Sequence, residues 1–134
     1  MDKEITILIV DDDLDYCQIV QKSLEQKFER PKIIICGDGQ ECVEVFKDEQ
    51  PDVVILDVMM PRMNGWEACR NIRYYEENET QGQRAIIIMV TAIGPRLNEM
   101  TSPLYDADEY IDKPANYKTL VDMVCRLLKK RQTA

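Results

Sequence analysis

Three acids in a row, Asp11-Asp12-Asp13, and three single residues, Asp57, Thr91 and Lys113, are the groups in this chain best placed to do chemistry. Each stands at or just beyond the end of an apolar run: residues 5–10, 53–56, 85–90 and 108–111. Carboxylates brought together repel, and that repulsion raises their pKa values unless a cation neutralises them. A hard divalent ion with oxygen ligands from two or three acids and several waters meets that need, which describes Mg²⁺. One carboxylate can then attack a phosphoryl group and form an acyl phosphate. The transferred oxygens carry negative charge, so they need a cation, an ammonium and hydroxyl donors around them. Lys113 and Thr91 are of the right types, and Asp57 is the single acid that closes a buried run.

These residues are far apart in the chain, so the elements that carry them must bring them together. Residues 5–10, 32–36, 52–57 and 85–90 are rich in β-branched residues and apolar almost throughout, the pattern of strands buried on both faces. A fifth, short strand is expected at 108–111. Between them lie segments with one apolar face: Leu14, Cys17, Val20, Leu24 and Phe28; Cys42, Val43 and Phe46; Trp66, Cys69 and Ile72. Leu120, Val121, Val124, Leu127 and Leu128 form the same kind of face in the last helix, which Asn116 caps. Asp38 with Glu41, and Asn64 with Glu67, have capping-box spacing. Pro31 stops the first helix, and the polar stretch 76–83 reads as an exposed loop. Strand and helix alternate five times, which means one parallel sheet covered on both sides and a single α/β domain over 1–134. All strand carboxyl ends then share one edge, and the reactive residues meet there. Periodicity leaves the strand order open.

Composition removes several other functions. The net charge of −8 is wrong for a nucleic-acid surface. No apolar run approaches the roughly 20 residues that span a bilayer, and the first ten residues lack a secretory pattern. There is no His, which excludes His-based acid–base catalysis and Ser-His or Cys-His nucleophiles. Five cysteines, none in a C-x-x-C pair, read as reduced core thiols in a cytoplasmic protein rather than as a zinc site.

VDDD at 10–13, ILDVMMPRMNG at 55–65, VTA at 90–92 and YIDKP at 110–114 together resemble a response-regulator receiver domain, and the resemblance covers essentially the whole chain. It implies a flavodoxin-like (βα)5, doubly wound, five-stranded parallel sheet of order 2-1-3-4-5. It makes Asp57 the phosphoacceptor and Asp12 the main metal-binding acid for Mg²⁺, with Asp11 beside it and the Met59 carbonyl completing the protein ligands. Thr91 would bind the phosphoryl oxygen, Lys113 would pair with it, and Tyr110 would be the switch aromatic. The phosphodonor would be a phosphohistidine on a histidine kinase or histidine phosphotransfer protein, so the missing His belongs to the partner. Such a module is no enzyme beyond its own phosphorylation and slow dephosphorylation. It signals to a downstream protein or output domain, with no nucleic-acid or membrane contact of its own. The bond between Lys113 and Pro114 is expected cis, as in related domains.

Three departures from the family pattern carry expectations. Met59 and Ile93 are large and apolar at positions that influence water access, which predicts slow self-dephosphorylation. Gly94-Pro95 and Ser102-Pro103 bracket only six residues, so a helix there should be short or distorted. Asp106 stands where the family often has Gly, which predicts a strained turn. The competing readings are a haloacid-dehalogenase-type phosphatase with Asp11 as nucleophile, which leaves Asp57 unexplained, and a receiver-like fold that only binds partners. A calcium loop at 11–22 fails because Tyr16 and Lys22 replace its Gly and Glu. Asp13 reads as a helix cap, Trp66 as core, and Lys129-Lys130-Arg131 as a solvated helix end.

Overall fold

The apolar runs become five parallel strands in a computed structural model that describes residues 4–80, 82–92, 106–113 and 116–133, with Thr91 and Thr133 described by their backbone alone. The strands are β1 (Thr6–Val10), β2 (Lys32–Cys36), β3 (Val53–Asp57), β4 (Ile86–Thr91) and β5 (Glu109–Asp112), in the order β2-β1-β3-β4-β5. Among the described residues the helices are α1 (Leu14–Lys27), α2 (Gly39–Glu49), α3 (Gly65–Glu79) and α4 (Tyr117–Thr133). The implied sheet order is therefore observed. The expectations for the helix between Thr91 and β5, for the side chain at Ile93 and for the bond to Pro114 lie outside the described residues.

Alternation along each strand divides the core in two. Ile7, Ile9, Val53, Ile55, Ile86 and Ile88 face α1 and α4, where Cys17, Val20, Leu24, Leu120 and Val124 meet them. Leu8, Val10, Val54, Leu56, Ile87 and Met89 face α2 and α3, against Cys42, Phe46, Cys69 and Ile72. Each fully buried Leu or Ile contributes roughly 2 kcal/mol relative to its exposed state. Leu14 departs from the predicted apolar face: it opens α1 and is 57% exposed.

The helix starts follow from their caps. Asp13, Asp38 and Asn64 accept hydrogen bonds from the amides of Tyr16, Glu41 and Glu67. Asn64 and Glu67 form the full capping box. At α2 the return arm shifts, because Glu41 takes the amide of Gly37 rather than that of Asp38. The amide of Lys118 and that of Leu120 both reach Asn116, as its role as a cap requires.

Three expectations are corrected at the amino edge of the sheet. Residues 76–79 belong to α3 rather than to a loop, because Glu76 turns inward to pair with buried Arg73 at 2.8 Å. β5 begins at Glu109, one residue late, because the Asp108 carboxylate accepts from the Ile87 amide (2.8 Å) and from Arg73 (2.9 Å). Arg131 is not a solvated helix end: it bonds Asp52 at 3.2 Å, while the other Asp52 oxygen accepts the Thr6 amide. The strain foreseen at Asp106 is present, with φ at 57°.

Candidate functional site at the carboxyl edge of the sheet

Asp11 follows β1 directly and Asp57 ends β3, and these two strands are neighbours. The sheet changes direction of winding here, so their carboxyl ends open a crevice. Both acids continue the parity of the residues that face α1 and α4, so their carboxylates stand on one side of the sheet. The backbone stays paired past both: the Asp11 amide donates to the Cys36 carbonyl and the Val58 amide to the Val90 carbonyl, each at 3.1 Å. Rigid strand ends thus hold two acids that would otherwise separate.

One carboxylate oxygen each from Asp11, Asp12 and Asp57 lies within 4.8 Å of the other two. Asp11 and Asp57 are buried and Asp12 is exposed. The three acids form a pocket able to hold a metal ion, and an all-oxygen donor set of this kind suits a hard divalent cation. Lys113, one residue beyond β5, places Nζ 2.9 Å from Asp11 Oδ2 and 3.4 Å from Asp57 Oδ2. Burial, and then the charge of Asp11, push Asp57 up to about 6, although Lys113 and the Met59 amide oppose that rise. Burial pulls Lys113 down, but its bond to Asp11 and the charge of Asp57 outweigh it and hold the ammonium above its ordinary value. Asp57, not the lysine, is therefore the group whose charged form the pocket disfavours.

The loop after Asp57 is tightly determined. The Gly65 amide donates to the Val58 carbonyl at 2.9 Å, and a Cβ at position 65 would collide with the Asp57 carbonyl. Gly39 likewise lets the Met63 carbonyl approach the start of α2. Arg62 adopts φ of 66° and reaches the buried Asp38 at 3.1 Å. Met59 points its side chain outward, 59% exposed.

The predicted site residues fall as follows. Asp11, Asp12, Asp57 and Lys113 converge, and Met59 follows Asp57 at the pocket. Thr91 ends β4 on the same edge, opposite Asp112 in the register, while its hydroxyl lies outside the described side chains. Tyr110 lies on β5 away from the acids and stacks at a tilt on Trp66, centroids 5.8 Å apart. One neighbour escaped the sequence reading: the Tyr16 ring lies 5.8 Å from Lys113 Nζ. The available signal was its place three residues after the Asp13 cap, which turns it back over the end of β1. Cys17 lies as close, its Sγ donating to the Asp11 carbonyl at 3.5 Å, but burial and then Asp11 push its pKa up to about 12, so it is no nucleophile. Cys17, Cys36, Cys42 and Cys69 are buried free thiols and Cys125 is half-buried. Among the described residues no helix is long and apolar enough to cross a membrane.

Comparison with known proteins places this geometry. The response regulator receiver domain model matches residues 7–125. A probable transcriptional regulator, ycf27 of Guillardia theta, is 33% identical over 96% of this chain and 47% of its own length. The chain spans about half the length of the curated relatives it matches. A response regulator receiver domain from Francisella superposes with a TM-score of 0.81 at 23% identity, covering 96% of this chain and 99% of that one. The chemotaxis response regulator CheY4 of Vibrio cholerae gives 0.79 at 25% identity, over 92% and 98% of the two chains.

Proposed function

Because this chain belongs to the response regulator receiver family, whose members are signalling receivers and not classical enzymes, we propose that Asp57 is its phosphoacceptor, charged by a phosphohistidine partner. The observation that supports this most is the setting of Asp57: buried at the end of β3, beside two more carboxylates, with one oxygen already facing an ammonium.

The step follows from those atoms. An Asp57 carboxylate oxygen attacks phosphorus, and an O–P bond forms as the donor's P–N bond breaks. The electron pair of that bond returns to the imidazole, which leaves neutral when its other nitrogen carries a proton. Lys113 Nζ, 3.4 Å from Asp57 Oδ2, is placed to donate to one of the new oxygens, and the Thr91 hydroxyl would donate to another. The donor set fits Mg²⁺, which Asp11, Asp12, Asp57 and the Met59 carbonyl would hold and which would supply the charge neutralisation that three acids and a phosphoryl group need. The family implies a cognate histidine kinase. The donor is that kinase or a histidine phosphotransfer protein, approaching an edge rimmed by the exposed side chains of Leu14 and Met59. The whole chain acts as one receiver module in the cytoplasm, and a downstream protein or output domain reads it.

The output side follows Tyr110. Phosphorylation draws the Thr91 hydroxyl toward the new oxygens, and the vacated space shifts the population of Tyr110 positions away from its packing on Trp66. The single Trp of the chain therefore reports the switch by fluorescence.

The test is incubation with Mg²⁺ and acetyl phosphate, followed by intact mass. An adduct of about 80 Da that disappears in Asp57→Asn supports the reading. Multiple turnover that survives Asp57→Asn but not Asp11→Asn overturns it. Slow self-dephosphorylation is checked in the same experiment; loss of the adduct within seconds contradicts it.

A further inference from the structure

We propose that Tyr16 is a positioning residue for Lys113, its ring face holding the ammonium between Asp11 and Asp57. The proposal rests on the reading of Asp57 as phosphoacceptor.

A lysine is a compact charge on a flexible four-carbon stem, so its position at a site must be imposed from outside. Lys113 stands one residue beyond β5, and its side chain is 26% exposed. Two directions are set by charge, with Asp11 at 2.9 Å and Asp57 at 3.4 Å. Charge alone leaves Nζ free to swing between the two acids and solvent. The Tyr16 ring supplies a third direction, with its centroid 5.8 Å from Nζ, inside the range at which an aromatic face attracts a cation.

The ring is itself held. Asp13 caps α1 by accepting the Tyr16 amide at 3.2 Å, and Asp13 in turn donates its own amide to Asp11 Oδ1 at 3.0 Å. The side chain packs on the core between the sheet and α1. A single run of sequence thus gives Asp11 to the pocket, Asp12 to its mouth, Asp13 to the cap and Tyr16 to the wall behind Lys113. A leucine at 16 would fill the same core but has no negative ring face to offer a cation. The consequence is kinetic: the ring keeps Nζ where the phosphoryl oxygens form, so its loss slows phosphorylation without touching the acids that bind metal.

The experiment replaces Tyr16 with Phe, with mono-, di- and trifluorinated Phe, and with Leu. The phosphorylation rate with acetyl phosphate at saturating Mg²⁺ is read by intact mass, and Mg²⁺ affinity by isothermal titration calorimetry. Fluorine drains the ring face while keeping Phe shape, so folding is preserved even if the Leu variant is unstable. The expected result is a Phe rate within about twofold of Tyr, a graded fall to about 3- to 10-fold at trifluoro-Phe, and unchanged Mg²⁺ affinity. A rate that is flat across the fluorine series, or one that falls only in step with Mg²⁺ affinity, overturns the assignment. Wild-type protein that takes no adduct at Asp57 sinks the phosphoacceptor reading and this one with it. Wild-type labelling with a flat series sinks Tyr16 alone.

Discussion

At the amino edge of the sheet Arg73 lies buried among two carboxylates, Glu76 and Asp108, and the carbonyls of Ala85 and Asp106. At the carboxyl edge Asp57 lies equally buried beside two further carboxylates and, among the described residues, one ammonium. The same residue types do opposite work. Around Arg73 each guanidinium nitrogen has an acceptor at 2.8–2.9 Å; Glu76 turns its other oxygen to the Ala85 amide, and Asp108 Oδ2 accepts from the Ile87 amide as well as from Arg73. The network ties α3 to the starts of β4 and β5: its two carboxylates outnumber the one guanidinium, and the backbone amides of Ala85 and Ile87 take up the excess. Around Asp57 negative charge is in excess, and the folded chain holds it there by backbone pairing. Buried charge that is matched locks a structure; buried charge left unmatched is a standing demand for a cation and for the phosphoryl chemistry a cation permits.

The largest expected effect tests the matched edge. Arg73→Met removes the cation and leaves Glu76 and Asp108 facing each other, so it should cost about 3–5 kcal/mol in urea denaturation. A cost below about 1 kcal/mol would break the comparison, because the amino edge would then not depend on its charge balance. The next effect has the opposite sign. Asp57→Asn removes one charge from the unmatched cluster and should raise stability of the metal-free protein by about 1–3 kcal/mol at pH 7. Asp57 takes up its proton more readily folded than unfolded, so the folded state binds more protons between about pH 4 and 6. The stabilisation from that proton is complete below about pH 4 and lost as pH rises through 6, so the gap between wild type and Asp57→Asn should open across that window. A gap constant with pH in chelator-treated samples contradicts it.

Smaller effects sharpen the contrast. Arg131→Ala breaks the bond between the end of α4 and Asp52, whose other oxygen still holds the Thr6 amide, and should cost about 1 kcal/mol by thermal or urea unfolding. Arg62→Ala removes an ion pair whose arginine is largely exposed, and should change stability by less than about 0.5 kcal/mol. A larger loss would mean that this pair, and not the approach of Gly39 to Met63, holds the loop after Asp57.

The fold was legible because its signals are local. Each strand is an apolar run and each described helix start a capping residue, so the predicted elements lie within a residue or so of the observed ones for β1, β2, β3 and α1. The misreadings at the amino edge share one cause. Residues 76–79 looked like loop and Arg131 like a solvent-facing end because charged side chains read as exposed unless their partners are known. Glu76 is drawn inward by Arg73 on its own helix and by the Ala85 amide at the start of β4, and Arg131 by Asp52 before β3. β5 slipped by one residue for the same reason, since Asp108 is drawn out of the strand by Arg73 and by the Ile87 amide.

By itself the sequence determined which residues could act. An acid at the end of each of two apolar strands and a lysine beyond a third are readable from period and type, because strand alternation and burial are properties of neighbouring residues. The tertiary structure decided how those groups share their charge. Lys113 sits closer to Asp11 than to Asp57, Tyr16 stands behind it, and the pKa of Asp57 rises to about 6. Those facts depend on distances of a few ångströms between residues as far apart as positions 11, 57 and 113. Coulomb energy changes steeply over such distances, and only the packed sheet sets them.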